Sequence, residues 1–441
     1  MSYSKDNLAW LGKIPDHWQV SKLRQILSPF SEKNHPDMPL LSVVREKGVI
    51  IRNVESKEEN HNYVPDDLSN YKLVKQGQFT MNKMKAWQGS YGVSKYDGIV
   101  SPAYFVFNLK CDINRDFFNA AIRSKAYVNY FGQASDGIRV GQWDLSMARM
   151  KDIPLLVPPR EEQDQIVRFL DWKVSSINKL INIKHKEISE LNESLNTKLR
   201  DVLLSVPNVK EVPLKRICSV PMTDGPHETP TFVDSGIPFV SAEASHDGRI
   251  HLDECRGFIT REQHEVYCQK VRPHKNDIFI VKSGSTTGKT VMVDFDEEFS
   301  IWSPLALVRC NNLAMPRYVF FYCTSVMFQK QVRDNWSFGT QPNIGMGVLE
   351  NLRLPLPEIE EQRAIVDTLD AYWSKVLQVK CNLKKQIEEF QSLKTRIIAD
   401  AVTGKIDVRS IEIPEYEFVD EDIDNADENL EQGADEPPEE E

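Results

Sequence analysis

Residues 153–171 read IPLLVPPREEQDQIVRFLD, and residues 352–370 read LRLPLPEIEEQRAIVDTLD. Glu161-Glu162-Gln163 aligns with Glu360-Glu361-Gln362 at an offset of 199, as do Ile166-Val167 with Ile365-Val366 and Leu170-Asp171 with Leu369-Asp370. Upstream, Gln142, Leu145 and Met147 match Gln341, Ile344 and Met346 at that offset. Weaker echoes pair Leu23-Arg24 with Leu214-Lys215, and Ser101-Pro102 with Ser303-Pro304, with the drift that loop insertions produce. A repeat of about 200 residues is far longer than a solenoid unit of about 20–50. The chain must therefore build two like bodies, not a stack of small ones.

Each copy has two parts. The first, residues 1–152 and again 207–351, carries short strand-like runs at 48–54, 78–82, 99–109, 277–282, 291–295 and 303–309. Turn residues such as Tyr96-Asp97-Gly98 and His246-Asp247-Gly248 punctuate them. Helices are expected at 115–130 and 316–332. These parts read as β-rich α/β globules.

The second part of each copy, 153–206 and 352–409, is a long amphipathic helix. In the first, Ile166, Leu170, Ile177, Leu180, Leu191 and Leu195 follow an alternating spacing of three and four. In the second, Ile365, Leu369, Val376, Leu383, Ile387 and Phe390 do the same. That is the seam of a coiled coil. Lys173 and Lys184 interrupt the first seam. Pro158-Pro159 and Pro357, each before an acidic first turn, suit a helix start, where carboxylates face the positive end of the dipole. Val206-Pro207 and Gly404 mark the stops. Each helix spans about 60 Å at about 1.5 Å per residue. Each stripe needs a partner, and the economical solution is that the two helices pack on each other. The order globule–helix–globule–helix makes that pairing an antiparallel coiled coil with pseudo-two-fold symmetry and a globule at each end. The expected class is α+β.

Charge is unevenly spread. The chain carries 54 basic and 65 acidic residues, but residues 410–441 hold 15 of the acids and no Lys or Arg. The body is then about +4, and the tail alone makes the total −11. A tail so acidic is expected to be disordered, and either to shield the body from non-specific DNA or to bind a basic partner surface. No apolar run approaches the roughly 18 residues that cross a bilayer. The opening MSYSKDNLAWLGKIP has no apolar signal core. Seven cysteines with no CxxC pair read as reduced thiols. A soluble cytoplasmic protein is the expectation.

Motifs for chemistry fall short. SGSTTGKT at 283–290 has three residues between Gly284 and Gly288 where a P-loop needs four, and Ser283 stands where its first glycine should be. The stretch suits either a DNA contact or a plain β-turn. Pro36-Asp37 with Glu55-Ser56-Lys57 matches a sparse nuclease pattern, but the second copy has no counterpart. His251/Cys255 and His264/Cys268 repeat an H-x3-C spacing; structural zinc spacings more often include CxxC, so no metal is expected. Methyltransferase tetrapeptides and a nucleophile elbow are absent from the sequence. What remains is amide and basic chemistry at matching places. In the first globule these are Asn82, Lys83, Lys85, Trp87 and Gln88, then Arg139 and Gln142. In the second they are Lys282, Ser283, Ser285, Thr286 and Lys289, then Arg333, Ser337 and Gln341. Arg and Lys read guanine edges, Asn and Gln read adenine, and Lys, Ser and Thr grip phosphates.

Taken together, the twin helix starts, the long helices and the divergent globules resemble the specificity subunit of type I restriction-modification systems. The run Ile14-Pro15-Asp16-His17-Trp18 and the loop at 284–289 are also similar to that family. The resemblance spans residues 8 to about 408. It implies two target-recognition domains that each read half of a split DNA site in the major groove. It implies that the helices set the spacer and dock two modification subunits, which carry S-adenosylmethionine and methylate adenine, and that restriction and translocase subunits join them. In that family the chain itself is not catalytic and binds no cofactor. The competing expectation is a coiled-coil scaffold with two protein-binding globules and no DNA role.

Overall fold

The computed structural model describes residues 14–52, 65, 67–110, 112–139, 142–338 and 341–420. Its most consequential elements are two continuous helices of equal length, Arg160–Leu203 and Ile359–Val402. They do not belong one to each globule. The chain divides into two compact units: residues 14–183 with 386–420, and Lys184–Lys385. Each unit thus owns the start of one long helix and the end of the other.

In the first unit, Ile166, Phe169 and Leu170 share a core with Ala401 and Val402. Lys394 Nζ donates to Asn178 Oδ1 at 3.3 Å. Advancing along one helix means retreating along the other, so the pairing is antiparallel. In the second unit, Leu195, Leu199 and Leu203 join Ile365, Leu369, Trp373 and Val376, and Ser194 and Tyr372 hydroxyls meet at 2.7 Å. Burying one Leu or Ile is worth about 1.5–3 kcal/mol, against a few tenths for an exposed i,i+4 ion pair, so the apolar seam carries the pairing.

The seam departs from the expected phase at Leu180, which is 42% exposed, while Ile181 is fully buried. Burial steps from Ile177 to Ile181 and later from Leu195 to Leu199 to Leu203. A straight helix has 3.6 residues per turn, so a strict 3–4 alternation drifts off the interface unless the pair supercoils. Extra steps of four restore the phase. Likewise Trp373 is buried and Val379 is exposed. Lys184 is neutralised by Glu187 at 3.0 Å.

The EEQ motif explains why both helices start where they do. Gln163 and Gln362 are 2% and 0% exposed. Gln163 Nε2 donates to Pro158 O at 2.9 Å, and Gln362 Nε2 to Pro357 O at 2.9 Å. Each amide oxygen accepts from the backbone just ahead of a globule helix: Asn114 N at 2.8 Å and Met315 N at 2.8 Å. One buried side chain so welds the globule to the long helix. Glu162, also buried, accepts from Trp18 Nε1 at 3.0 Å and lies 2.7 Å from His17 Nε2, anchoring the opening run. Gly404 (φ 76°) ends the second helix against Pro15, where a Cβ would come within 2.6 Å.

The globules are smaller-stranded than expected. The first has an antiparallel four-stranded sheet in the order Leu27–Phe30, Tyr104–Leu109, Phe79–Asn82, Tyr91–Val93, with the pairs Leu41–Val44/Gly48–Ile51 and Lys72–Val74/Gly98–Val100 beside it. The second has a six-stranded sheet centred on Leu305–Val308, Ile278–Val281 and Thr290–Met292. The run at 99–109 is two strands, not one. Both expected globule helices break in two, into Arg115–Ile122 with Lys125–Gln133 and Pro316–Thr324 with Val326–Asn335. Buried Ser124 and Ser325 stand at the breaks in extended conformation, each the N-cap of the following helix.

The tail also differs from expectation as far as Asp420. Gln165 Nε2 donates to Val408 O and Ile411 O, Asn178 Nδ2 to Val419 O at 3.0 Å, and Asn182 Nδ2 to Asp420 O at 3.0 Å. Ile411 and Ile413 pack on the core of the first unit. Residues 408–420 therefore form an ordered strap along the first long helix, because the helix offers a row of amide side chains to an extended backbone. The rest of the tail, 421–441, lies outside the described residues. Among the described residues, no helix is long and apolar enough to cross a membrane, and the described cysteines are free thiols.

Candidate nucleic-acid interface

Both candidate clusters sit on the same construction. In the first unit, Phe79–Asn82 and Tyr91–Val93 form a hairpin whose loop carries Lys83, Lys85, Trp87 and Gln88. In the second, Ile278–Val281 and Thr290–Met292 form the equivalent hairpin, with Lys282, Ser283, Ser285, Thr286 and Lys289 in its loop. A second hairpin backs each loop: Ser135–Arg139 with Gln142–Leu145, and Ser337–Phe338 with Pro342–Asn343. The docking bond is the same in both. Leu145 N donates to Lys83 O at 3.3 Å, and Ile344 N donates to Lys282 O at 2.8 Å. Both partners are related by the offset of 199 seen in the helix starts.

The side chains then diverge. In the first unit, Lys83 pairs with Asp144 of the backing hairpin. Trp87 lies against Trp143 at 5.2 Å between ring centroids, and its buried Nε1 has no hydrogen-bond partner among the described residues. Asn82 turns inward, its amide donating to Tyr104 Oη at 3.3 Å and its oxygen accepting from Met84 N at 3.1 Å. It shapes the loop and is not a projecting group. Lys85 is exposed and Gln88 half-buried. Arg139 and Gln142 pair across the end of the backing hairpin; their side chains lie outside the described residues.

In the second unit, Gly284 N donates to Pro342 O at 3.1 Å, and Thr287 Oγ1 donates to Gly284 O and Pro342 O. Gly284 and Gly288 have φ of 104° and 96°, which L side chains rarely adopt. That requirement, and not phosphate cradling by a P-loop, accounts for the glycines. The loop also runs into a strand, where a P-loop runs into a helix. Ser337 Oγ donates to Asn343 O at 3.1 Å. Gln341 and Ser285 are exposed, and Thr286 and Lys289 are half-buried. Arg333 is exposed on the helix Val326–Asn335. The structure thus brings Lys282, Ser283 and Gly284 to the hairpin that bears Ser337 and Gln341.

Sequence reasoning missed what holds Lys282. Asp224 Oδ2 lies 3.1 Å from Lys282 Nζ, while Asp224 Oδ1 accepts from Lys270 Nζ at 2.6 Å. Burial alone would raise the Asp224 carboxyl, but hydrogen bonds from Lys270 and Lys282 outweigh it and hold it below its ordinary value. Asp224 also lies 3.2 Å from His227 Nε2 three residues on, but the two lysines that it holds are distant in sequence.

The nuclease pattern is not assembled within the described residues, since Glu55 and Lys57 lie outside them. What the two loops offer is lysine, hydroxyl and amide groups on rigid hairpins, a chemistry suited to phosphate oxygens and base edges.

These features define a class. The family model described as "Type I restriction modification DNA specificity domain" matches residues 15–193 and again 208–389. The chain belongs to that family, with both copies matched. Among relatives, it is 25% identical over 278 residues to the type I restriction enzyme MjaVIII specificity subunit of Methanocaldococcus jannaschii, covering 59% of this chain and 64% of that one. It is 22% identical over 435 residues to the putative MjaX specificity subunit of the same organism, covering 91% and 96%. The fold is shared with a chain from a solved structure on complex assembly and conformational transition of the type I R-M system, at a TM-score of 0.59 and 17% identity, covering 89% of this chain and 100% of that one.

Proposed function

We propose that this chain is the DNA specificity subunit of a type I restriction-modification complex. Each unit's loop and backing hairpin reads one half of an asymmetric split site in the major groove. The paired long helices set the unread spacer and dock two methyltransferase subunits. Those subunits carry S-adenosylmethionine and methylate adenine, and restriction and translocase subunits join the assembly. This chain recognises and does not itself catalyse. The carrying observation is the duplicated loop-on-hairpin with its matched backbone bond and unlike side chains. Two unlike readers on one scaffold suit an asymmetric site; two identical ones would suit a palindrome. A scaffold without a DNA role has no need of this duplication of polar loops.

The test maps the methylated motif when the chain is expressed with its own modification subunit. Exchanging residues 207–351 for those of a related chain should change one half-site and leave the other. An added heptad in both long helices should lengthen the spacer and spare both half-sites. An unchanged motif after the exchange would overturn the reading.

A further inference from the structure

The histidine pairs of the second unit are not absorbed by DNA recognition. We infer that His246, His251 and Glu254 form a binding site for one divalent transition-metal ion of the zinc class. The inference stands whether or not the loops read DNA. One ligand atom from each residue lies within 4.8 Å of the others. The two imidazole rings stack at 3.8 Å between centroids and 10° between planes, so one ring must turn to bring both in-plane lone pairs onto one ion. Two imidazoles and a carboxylate are a donor set that zinc takes readily, with water in the fourth position.

Two further observations point to a ligand. The Nε2 of His251 is buried and has no hydrogen-bond partner among the described residues. Such an orphaned nitrogen is costly in a folded protein and is relieved by a cation. His246, by contrast, has its two nitrogens sorted. Nδ1 lies 3.4 Å from Asp247 Oδ2, and Nε2 lies 2.8 Å from Glu254 Oε2. Since a carboxylate oxygen can only accept, Nε2 donates to Glu254, and an ion binds here by taking the place of that proton between the two groups. A carboxylate behind a ligating histidine is the usual second partner of zinc sites, where it fixes tautomer and ring orientation. Asp247 is held in turn by Lys384 Nζ at 3.3 Å and Lys380 Nζ at 3.9 Å.

The neighbouring group is a useful contrast. His264, Glu265 and Glu298 also converge. There Arg261 and Arg272 occupy Glu298, Arg272 occupies Glu265, and Ser300 takes the His264 Nδ1 at 2.9 Å. Its carboxylates are already neutralised. Around His246 and His251 no arginine does this among the described residues. Cys255, which the spacing paired with His251, is not part of the group; the partner comes instead from the hairpin before it.

The position gives the ion a role. The hairpin Ser245–His246/Arg249–Ile250 turns at Asp247 and Gly248, and a Cβ at Gly248 would come within 2.8 Å of Trp373 on the long helix. An ion shared by His246, His251 and Glu254 would tie this turn to the segment Leu252–Glu254. It would stiffen the place where, within this unit, the sheet meets the helix.

The experiment uses the full chain, stripped with chelator and then titrated with Zn²⁺ and Co²⁺. We expect one Zn²⁺ per chain by equilibrium dialysis, d–d absorption bands with Co²⁺, and a raised melting temperature on Zn²⁺ addition. His251→Ala and Glu254→Gln should each weaken binding at least tenfold; Asp247→Asn should weaken it by about 10–100-fold if it acts only by orienting His246. His227→Ala, an exposed histidine elsewhere in the unit, should bind like the parent. Should His251→Ala fail to fold, the exposed Glu254→Gln keeps the test intact. No stoichiometric binding, or binding equal in the parent and Glu254→Gln, would overturn the site.

Discussion

Single side chains decide where this chain turns. Gln362 ties the loop before the helix Pro316–Thr324 to the first turn of the long helix through Met315 N, Leu313 O and Pro357 O. Truncating it strands buried backbone groups, each worth about 1–3 kcal/mol. Gln362→Ala should lower the unfolding free energy from chemical denaturation by that order, and an unchanged value would remove the amide from its structural role. Asp224 makes a different prediction. Its carboxyl is depressed by the two lysines, so its stabilising contribution is complete above the ordinary value of 3.8 and fades as pH falls through the lower folded value. The stability gap between the parent and Asp224→Asn should therefore be present at pH 6 and shrink as the pH is taken below 3.8. A gap that widens in acid would contradict the assigned sign. Residues of this kind also mark the limit of what a sequence discloses. Gln163 and Gln362 were visible because they recur within a motif, whereas the hold of Asp224 on Lys282 and Lys270 reaches across the fold.

At the scale of elements, periodicity located both long helices and most of their buried face, because apolar burial at helical spacing is a local signal. It misplaced Leu180 because heptad counting assumes a continuous supercoil. The consequence is measurable. Ile181→Glu buries a charge in the seam and should unfold or strongly destabilise the first unit, while Leu180→Glu, already facing outward, should change thermal stability little. Equal destabilisation by both would restore the original register. The globule helices taught a similar lesson. Their apolar content was legible, but the breaks fall where the backbone of Ser124 and Ser325 is extended, with no side-chain capping bond, and no local residue pattern marks them. The two polar loops were legible only as clusters. Which groups project, as Lys85 does, and which fold inward, as Asn82 does, depends on Tyr104 and on backing hairpins far along the chain.

For the molecule as a whole, the strap divides the acidic tail into two parts with separable effects. Residues 421–441 hold eleven of the tail's 15 acidic groups, and 408–420 supply its packing. Removing 410–441 should lower the stability of the first unit, because Ser175 and Asn178 lose the backbone that covers them and Ile411 and Ile413 leave the core. Removing only 421–441 should spare stability; any gain in low-salt binding to non-specific DNA belongs to that deletion. Equal melting temperatures for the two deletions would sink the strap.

The interleaving of the units also sets an order of events during synthesis. Among the described residues the second unit is one unbroken stretch, Lys184–Lys385, whereas the first is completed by residues 386–420. A ribosome adding about 5–20 residues per second needs roughly 10–50 s to travel from Leu170 to Ala401. For that interval Ile166 and Leu170 have no helix to meet, and the body begun first is the one finished last. The nascent chain carries its own open docking stripe past the chaperones at the exit tunnel until its final segment arrives to close it.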